Sequence, residues 1–518
     1  AGGIALVVYG GLIGLTYFGF ERTPTGFVPQ QDKQYLVAFA QLPDAATLDR
    51  TEAVIRKMSD IALAQPGTES AVAFPGLNIN GFTNSPNSGI VFVTLKPFED
   101  RKGKDMTAQA IAGALNGKFG KIQEAFIAVF PPPPVQGLGT IGGFRLQVED
   151  RGSLGFDELY KQTQNLIAKG NADPALHGLF SSFQVNVPQV DAEIDREKAK
   201  SQGMQLQDLF DTLQVYLGSL YVNDFNLFGR TYQVNAQAEP RFRLQAEDIA
   251  RLKTRNGNGD MIPLGSFVTV KQTSGPDRVM HYNSYATAEI NGGPAPGYST
   301  GQAQAAIERL AHQELPNGMS FEWTELTYQQ ILAGNTAVLV FPLVVLLVFL
   351  VLAAQYESLG LPLAVILIMP MVLFSAITGV QLAGSDDNIF TQIGLIVLVG
   401  LASKNAILIV EFARDREAHG EKPLRAVLDA ARLRLRPILM TSLAFIMGVV
   451  PLVTSTGAGA EMRHAMGVAV FSGMLGVTFF GLFLTPVFYV VLRSWRRKKA
   501  APPEPTEEVA APATAAEA

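Results

Sequence analysis

Lys404 and Asn405 stand side by side in Gly400-Leu-Ala-Ser-Lys-Asn-Ala-Ile-Leu-Ile-Val-Glu-Phe-Ala-Arg414, a stretch that is otherwise almost entirely apolar. The run begins at Ile389 and is long enough to cross a bilayer as a helix. At the helical rise per residue, Lys404 lies roughly 15 Å from Arg414, further than a lysine side chain can snorkel. An ammonium at that depth costs roughly 2.5 to 3.5 kcal/mol on insertion scales, so it should face the interior of a helix bundle and meet an acceptor. Glu411, seven residues on, is about 10 Å away along the axis. Glu357, Asp386 and Asp387 fall in loops. The counter-ion must therefore come from protein outside these residues. A lysine balanced by carboxylates that take up protons is an element suited to ion or proton coupling.

Other chemistries find no support. His177, His281, His312, His419 and His464 are scattered without ligand spacing, so no metal or catalytic role is expected of them. There is no Walker A sequence and no Gly-x-Ser-x-Gly. Zero cysteines exclude disulfides and thiolate chemistry. A net charge of -5 with no basic stripe argues against nucleic acid. No cofactor is expected, and the chain reads as a non-enzyme.

The elements that must position Lys404 are six apolar stretches: Ala1 to Phe20, Thr336 to Ala354, Leu359 to Ala383, Ile389 to Val410, Pro437 to Ser455 and Met466 to Leu492. The first begins without methionine and is read as a spanning helix cut near its start. The loop Arg414 to Arg436 and the segment after Leu492 are strongly basic, whereas Gly384 to Asn388 and Thr456 to Ala465 hold only Arg463. The basic segments belong inside, which puts Glu21 to Asn335 outside. From Ala500 the chain is Ala, Pro, Glu and Thr with one valine, and is expected to be disordered.

In the outside region the apolar period switches between two and 3.6. Strands are expected at Tyr35 to Leu42, Thr68 to Phe74, Gly89 to Leu95 and Ala125 to Phe130, with helices at Thr47 to Ala64 and Met106 to Gln123. That order is the split β-α-β, or ferredoxin-like, unit. A second unit starts at Gly143 to Glu149, Phe156 to Lys169 and Leu179 to Val187, and finishes at His281 to Asn291, Thr300 to Gln313 and Met319 to Trp323. An inserted subdomain, about 188–280, separates its halves, with Tyr221 to Asn226 read as a polar, aromatic turn. Two such units side by side leave a cleft. Pro75 to Gly89 reads as a long glycine- and asparagine-rich loop that carries Leu77, Ile79 and Phe82, the kind that gates a pocket.

Gly400 to Ala413, Arg432-Leu-Arg-Leu-Arg-Pro-Ile-Leu-Met-Thr-Ser442, Ser455 to Gly459, Leu352 to Ser358 and Asp195 to Ala199 together resemble the C-terminal half of resistance-nodulation-division (RND) multidrug pumps of the hydrophobe/amphiphile efflux class. The resemblance implies a proton-driven drug antiporter, a homotrimer in the inner membrane of a Gram-negative bacterium, with a periplasmic adaptor and an outer-membrane channel as partners. It assigns the proton relay to Lys404, Asn405, Arg434 and Thr441, and its carboxylates to an N-terminal half. It matches the switch loop to Leu77, Ile79 and Phe82, and further drug contacts to Phe39, Val72, Phe92, Phe144 and Leu146. The implied division is a spanning helix at 1–20, a first porter subdomain at 21–134, a second at 135–187 and 281–335, a docking insert at 188–280, five spanning helices at 336–492 and a cytoplasmic tail at 493–518. Alternatives are an RND exporter of metal ions or lipids, or a membrane-anchored periplasmic protein without transport. The first would need clustered methionines or acids, and Met58, Met106, Met204, Met261, Met280 and Met319 are isolated. The second would not need Lys404.

Overall fold

The computed structural model describes residues 2–79, 81–334 and 336–499; the tail expected to be disordered from Ala500 lies outside these residues. In chain order the elements are α1 (Gly2–Arg22), β1 (Tyr35–Gln41), α2 (Leu48–Leu63), β2 (Thr68–Leu77), β3 (Asn84–Leu95), α3 (Ala108–Phe119), β4 (Phe126–Phe130), β5 (Phe144–Asp150), α4 (Phe156–Ala172) and β6 (Leu176–Phe180). There follow β7 (Val187–Ile194), α5 (Arg196–Ser201), α6 (Leu206–Leu213), β8 (Leu220–Leu227), β9 (Arg230–Ala236), α7 (Asp248–Arg251), β10 (Lys253–Arg255), β11 (Met261–Pro263) and β12 (Val268–Gly275). The chain closes with β13 (Met280–Tyr282), β14 (Tyr285–Pro294), α8 (Thr300–Glu314), β15 (Met319–Trp323), α9 (Glu325–Ala333), α10 (Thr336–Tyr356), α11 (Gly360–Ile366), α12 (Met369–Leu382), α13 (Ile389–Ala418), α14 (Pro423–Val453) and α15 (Ala460–Lys499).

The first sheet runs β2-β3-β1-β4. Alternation along β1 and β3 divides its faces: Leu36, Ala38, Val91 and Val93 pack under α2 and α3, while Val37, Phe39 and Ile90 point the other way. In the second sheet β14 pairs with both β6 and β5, and β15 pairs with β5, giving the same order from strands more than a hundred residues apart. Leu146, Val148 and Ile290 face α4 and α8. Ser299 and Gln302 form a reciprocal capping box that fixes the start of α8. The insert between β6 and β13 has a small core of its own around Ala199, Leu209, Leu264 and Phe267. Asp195 caps α5 by accepting from the Lys198 backbone N–H at 2.9 Å.

Several expectations need correction. Pro75 to Gly89 is not a long loop: β2 continues to Leu77 and β3 begins at Asn84, with Pro75 opposite Gly89 and Leu77 opposite Asn84. Positive φ at Gly76 and Gly81 accommodates the bulge and the turn, leaving a short connection, 78–83. Tyr221 to Asn226 is a strand, β8, of a two-stranded arm whose residues are exposed on both strands. His281 to Asn291 is two strands, turned at Asn283 and Ser284, both with positive φ. The strand expected at Leu179 to Val187 instead ends at Phe180.

All six helical segments are long and apolar enough to cross a membrane. Leu359 to Ala383 is not one continuous helix: α11 stops at Ile366 and α12 starts at Met369, where Pro370 at the second position withholds the N–H that would have met the Ile366 carbonyl. At the break, the Leu367 carbonyl accepts from the Tyr9 hydroxyl at 2.6 Å. The basic stretch Arg414 to Arg436 is not a loop. Its Ala, Leu, Arg and Glu residues extend the helices on either side of a turn at 419–422, which Gly420 ends and Pro423 restarts. Glycines set the packing of α15: a Cβ at Gly473 would lie 2.2 Å from the Leu398 side chain, and one at Gly379 2.2 Å from Ser472.

The bundle has two unlike ends. At one, Glu417 of α13 meets Arg493 at 3.0 Å and the Tyr489 hydroxyl at 2.7 Å. At the other, the connection after α1 is stitched to the α12–α13 loop by the Gly26 N–H on the Asp387 carbonyl at 3.1 Å and the Asp387 N–H on the Pro24 carbonyl at 2.8 Å. The α/β units hang from this second end. Asp387 is half-buried there, and burial, with a hydrogen bond from Gln392 opposing and the charge of Asp386 adding, pushes its carboxyl up to about 6.

Candidate functional site

Asn388 caps α13, its Oδ1 accepting from the Phe390 and Thr391 N–H groups at 3.0 and 3.1 Å, and so fixes the helix that carries Lys404. Asn405 is buried and donates from Nδ2 to Ser442 Oγ at 3.1 Å, which ties α13 to α14 at this level. Thr441, beside Ser442, is half-buried and bonds its own helix, Oγ1 to the Ile438 carbonyl at 3.1 Å. Lys404 does not face the interior of this bundle. It is exposed and makes no hydrogen bond or ion pair with the described residues. Ile393, Val397, Gly400, Lys404 and Glu411 are all exposed and recur at helical spacing, so one stripe of α13 is open along its length.

Arg434 is not part of the same contact group. Its guanidinium lies 4.1 Å over the Phe412 ring, eight residues beyond Lys404 and about 12 Å along the helix. Its Nε is buried without a hydrogen-bond partner among the described residues. The structure thus brings Lys404, Asn405 and Thr441 to one level and sets Arg434 about two turns away. Ser442 and Phe412 were missed by sequence reasoning. A buried amide in a membrane helix needs a polar partner on a neighbouring helix, and Ser442, next to Thr441, was the nearest candidate.

The expected drug contacts divide into three groups. Phe39 and Ile79 are buried, with Leu77 and Phe92 half-buried beside them, in a cluster that also holds Val37, Ile90, Ile141 and Phe180. Phe180, from the second unit, stacks on Phe39 and on Phe130 with ring centroids 5.4 Å away in each case. The cleft expected between the units is therefore closed by aromatic packing. Val72 pairs across the sheet with Phe92 but stands exposed on the edge strand, and Phe82 is exposed at the hairpin tip. Phe144 and Leu146 lie apart from this group. Both are buried in the second unit's own core, where Phe144 meets Trp323 edge-on at 5.6 Å.

In the connection between α1 and β1, Asp32 forms an ion pair with Arg101 of the first unit, whose side chain is 2% exposed, through contacts of 2.7 and 3.0 Å. The same carboxylate accepts from the Ala108 N–H at the start of α3, at 3.1 Å, and the Asp32 N–H donates to Glu461 of α15 at 3.2 Å. A buried clamp thus joins the first unit to the membrane bundle.

Six membrane-length helices, a lysine on an open face within one of them, and two like α+β units at one end define an integral membrane protein of mixed architecture. The sequence profile of the AcrB/AcrD/AcrF family matches residues 1–493, and the chain belongs to that family. Its relatives include the multidrug/solvent efflux pump membrane transporter MepB of Pseudomonas putida, 39% identical over 478 residues, covering 92% of this chain and 45% of MepB. The multidrug export protein AcrF of Escherichia coli is 38% identical over 493 residues, covering 94% of this chain and 47% of AcrF. The chain spans about half the length of the relatives it matches.

Proposed function

We propose that this chain is the C-terminal half of an RND pump that exports amphiphilic drugs from the periplasm and inner membrane in exchange for protons. In this reading it is not an enzyme but a secondary active transporter. The two sheets are ferredoxin-like porter subdomains, 21–134 and 135–187 with 281–335; the insert, 188–280, is the docking region. The helices 1–20 and 336–492 sit in the inner membrane, the α/β region lies in the periplasm and 493–518 in the cytoplasm. The pump works as a homotrimer with a periplasmic adaptor and an outer-membrane channel, as membership of the family implies.

The observation that carries the reading is the open stripe of α13. Lys404 has no acceptor among the described residues, yet an ammonium facing lipid is costly. A Cβ at Gly400 or Gly448 would meet nothing within 4 Å, so both leave room for another helix to approach closely. A helix from the N-terminal half, carrying carboxylates, fills this face. Protonating those carboxylates releases Lys404, with Asn405 and Thr441 beside it and Arg434 nearer the cytoplasmic end, and this switches the bundle between two states. The test is drug tolerance in an efflux-deficient Gram-negative host carrying this chain joined to its N-terminal half. Tolerance that disappears when the proton gradient is collapsed supports the reading; no gain in tolerance from a well-assembled pump contradicts it.

A further inference from the structure

Beside the aromatic seam between the two units lies a polar one, built from residues that none of the roles above uses. Residues 276–279 carry the chain from β12 of the insert back to β13 of the second unit. Arg278 donates from Nη1 to Thr83 Oγ1 at the tip of the β2–β3 hairpin, and its Nη2 lies 3.5 Å from Ser182 Oγ. Ser182 is itself fastened within the second unit, its hydroxyl donating to Glu289 Oε1 at 2.6 Å. Next to it, Asp277 Oδ2 accepts from Ser85 Oγ at 3.3 Å, and the Asp277 N–H donates to the Gln184 carbonyl at 3.2 Å. The Gln184 side chain in turn accepts from Asn87 Nδ2 at 2.9 Å. Ser85 and Asn87 are 2% and 4% exposed, so these bonds are shielded from competing water. The charge of Asp277 also reaches the first unit: after burial, it is the second cause that pushes the Asp44 carboxyl up.

We infer that Asp277 and Arg278 form a latch that holds the β2–β3 hairpin against the second unit and keeps the aromatic seam around Phe180 shut. The hairpin carries Leu77 and Ile79 into that seam, so lifting it uncovers Phe39 and Phe180. The latch residues sit on the covalent return from the insert, so a displacement of the insert pulls directly on them. Bonds from a charged donor or to a charged acceptor are about twice as strong as neutral ones, which suits a contact that must hold and then let go as a unit. That the opened seam admits a substrate rests on the transport reading; the latch itself does not.

The experiment uses the complete pump with its other cysteines removed, this chain having none. Ile79→Cys, at a position 1% exposed in the seam, reports opening by its rate of reaction with a membrane-impermeant maleimide; Val91→Cys, at a position 0% exposed under the helices of the same sheet, reports general loosening. Arg278→Met is expected to speed labelling at position 79 by about tenfold or more, the loss of a hydrogen bond to a charged group, while position 91 stays protected. Thr83→Val removes only the acceptor, leaves Ser182 and Glu289 untouched, and is expected to act in the same direction; it decides alone if Arg278→Met does not assemble. Unchanged labelling at position 79, or equal acceleration at both positions, overturns the latch. A pump that labels faster yet exports nothing even when unsubstituted removes the transport reading and leaves the latch standing.

Discussion

Replacing Arg101 with methionine tests whether the Asp32 clamp holds the first α/β unit to the bundle. In the structure Arg101 Nη1 and Nη2 contact the two Asp32 oxygens at 2.7 and 3.0 Å, Nε donates to the Lys96 carbonyl at 2.7 Å, and Nη1 also reaches the Met106 carbonyl at 3.0 Å. Methionine fills much of the space but strands a carboxylate whose side chain is 10% exposed, with only the Gln34 and Ala108 N–H groups left to satisfy it. Removing one partner of a buried pair costs about 3 to 5 kcal/mol. Because that cost falls on a local contact, it should appear as local opening, with amide exchange in β1 and the first turn of α3 roughly a hundred- to several-thousandfold faster. Hydrogen-exchange mass spectrometry on the purified pump reads this directly, with β14 in the second unit as the internal control. Asp32→Leu combined with Arg101→Met removes both charges and should recover most of the protection. Exchange in Arg101→Met within about threefold of the unsubstituted protein would refute the claim that this pair, and not apolar packing alone, fixes the unit.

Other outcomes follow from single contacts. Phe180→Ala removes a buried ring that stacks on Phe39 and Phe130, and should cost about 3 to 5 kcal/mol, seen as a lower melting temperature and faster proteolysis between the units; an unchanged melting curve would mean the seam is not closed in solution. Phe144→Ala should likewise lower folded yield, because the ring belongs to a core; a folded variant with altered drug tolerance alone would return Phe144 to the binding surface. The Asp387 carboxyl has its folded value raised from 3.8 to about 6, so its contribution to stability is full below about pH 4 and is lost as pH rises through about 6. Asp387→Asn should therefore raise stability at pH 7.5, by at most about 3 kcal/mol, and flatten the pH dependence between 4 and 6; melting curves across that range check both signs. Gly379→Val forces a side chain onto Ser472 and should reduce folded protein, measured as the yield of monodisperse material after membrane extraction.

The sequence exposed most of the framework because each element carried its own periodicity. The same strand order in both sheets follows from alternating apolar residues in β1, β3, β5 and β14, and the spans follow from uninterrupted apolar length. What it hid was set by neighbours. Leu77 and Asn84 pair across the hairpin although glycine and asparagine read as loop, because cross-strand bonding and a glycine bulge override local composition. The polar extensions of α13 and α14 read as loop because charge marks the end of the hydrocarbon, not the end of a helix. At the candidate site, Lys404 was legible from depth alone, but the facing of its side chain was not, since an i, i+4 pattern fixes a stripe and not what covers it. Phe144 and Phe39 carry the same one-letter signal on alternating strands; only the placement of Phe180 separates a core ring from a seam ring.

The central claim is that Lys404 completes a proton-responsive contact with carboxylates from the N-terminal half. Drug-dependent proton movement through the complete pump in proteoliposomes, measured beside trimer yield for Lys404→Met, tests it most directly. Methionine keeps the length of the side chain and makes the span more apolar, so insertion should be unaffected. The account predicts a fully assembled trimer in which drug no longer drives proton flux. Normal coupling in a well-assembled Lys404→Met pump would contradict it, and so would loss of the trimer itself, which would make the lysine a structural pair and not a relay.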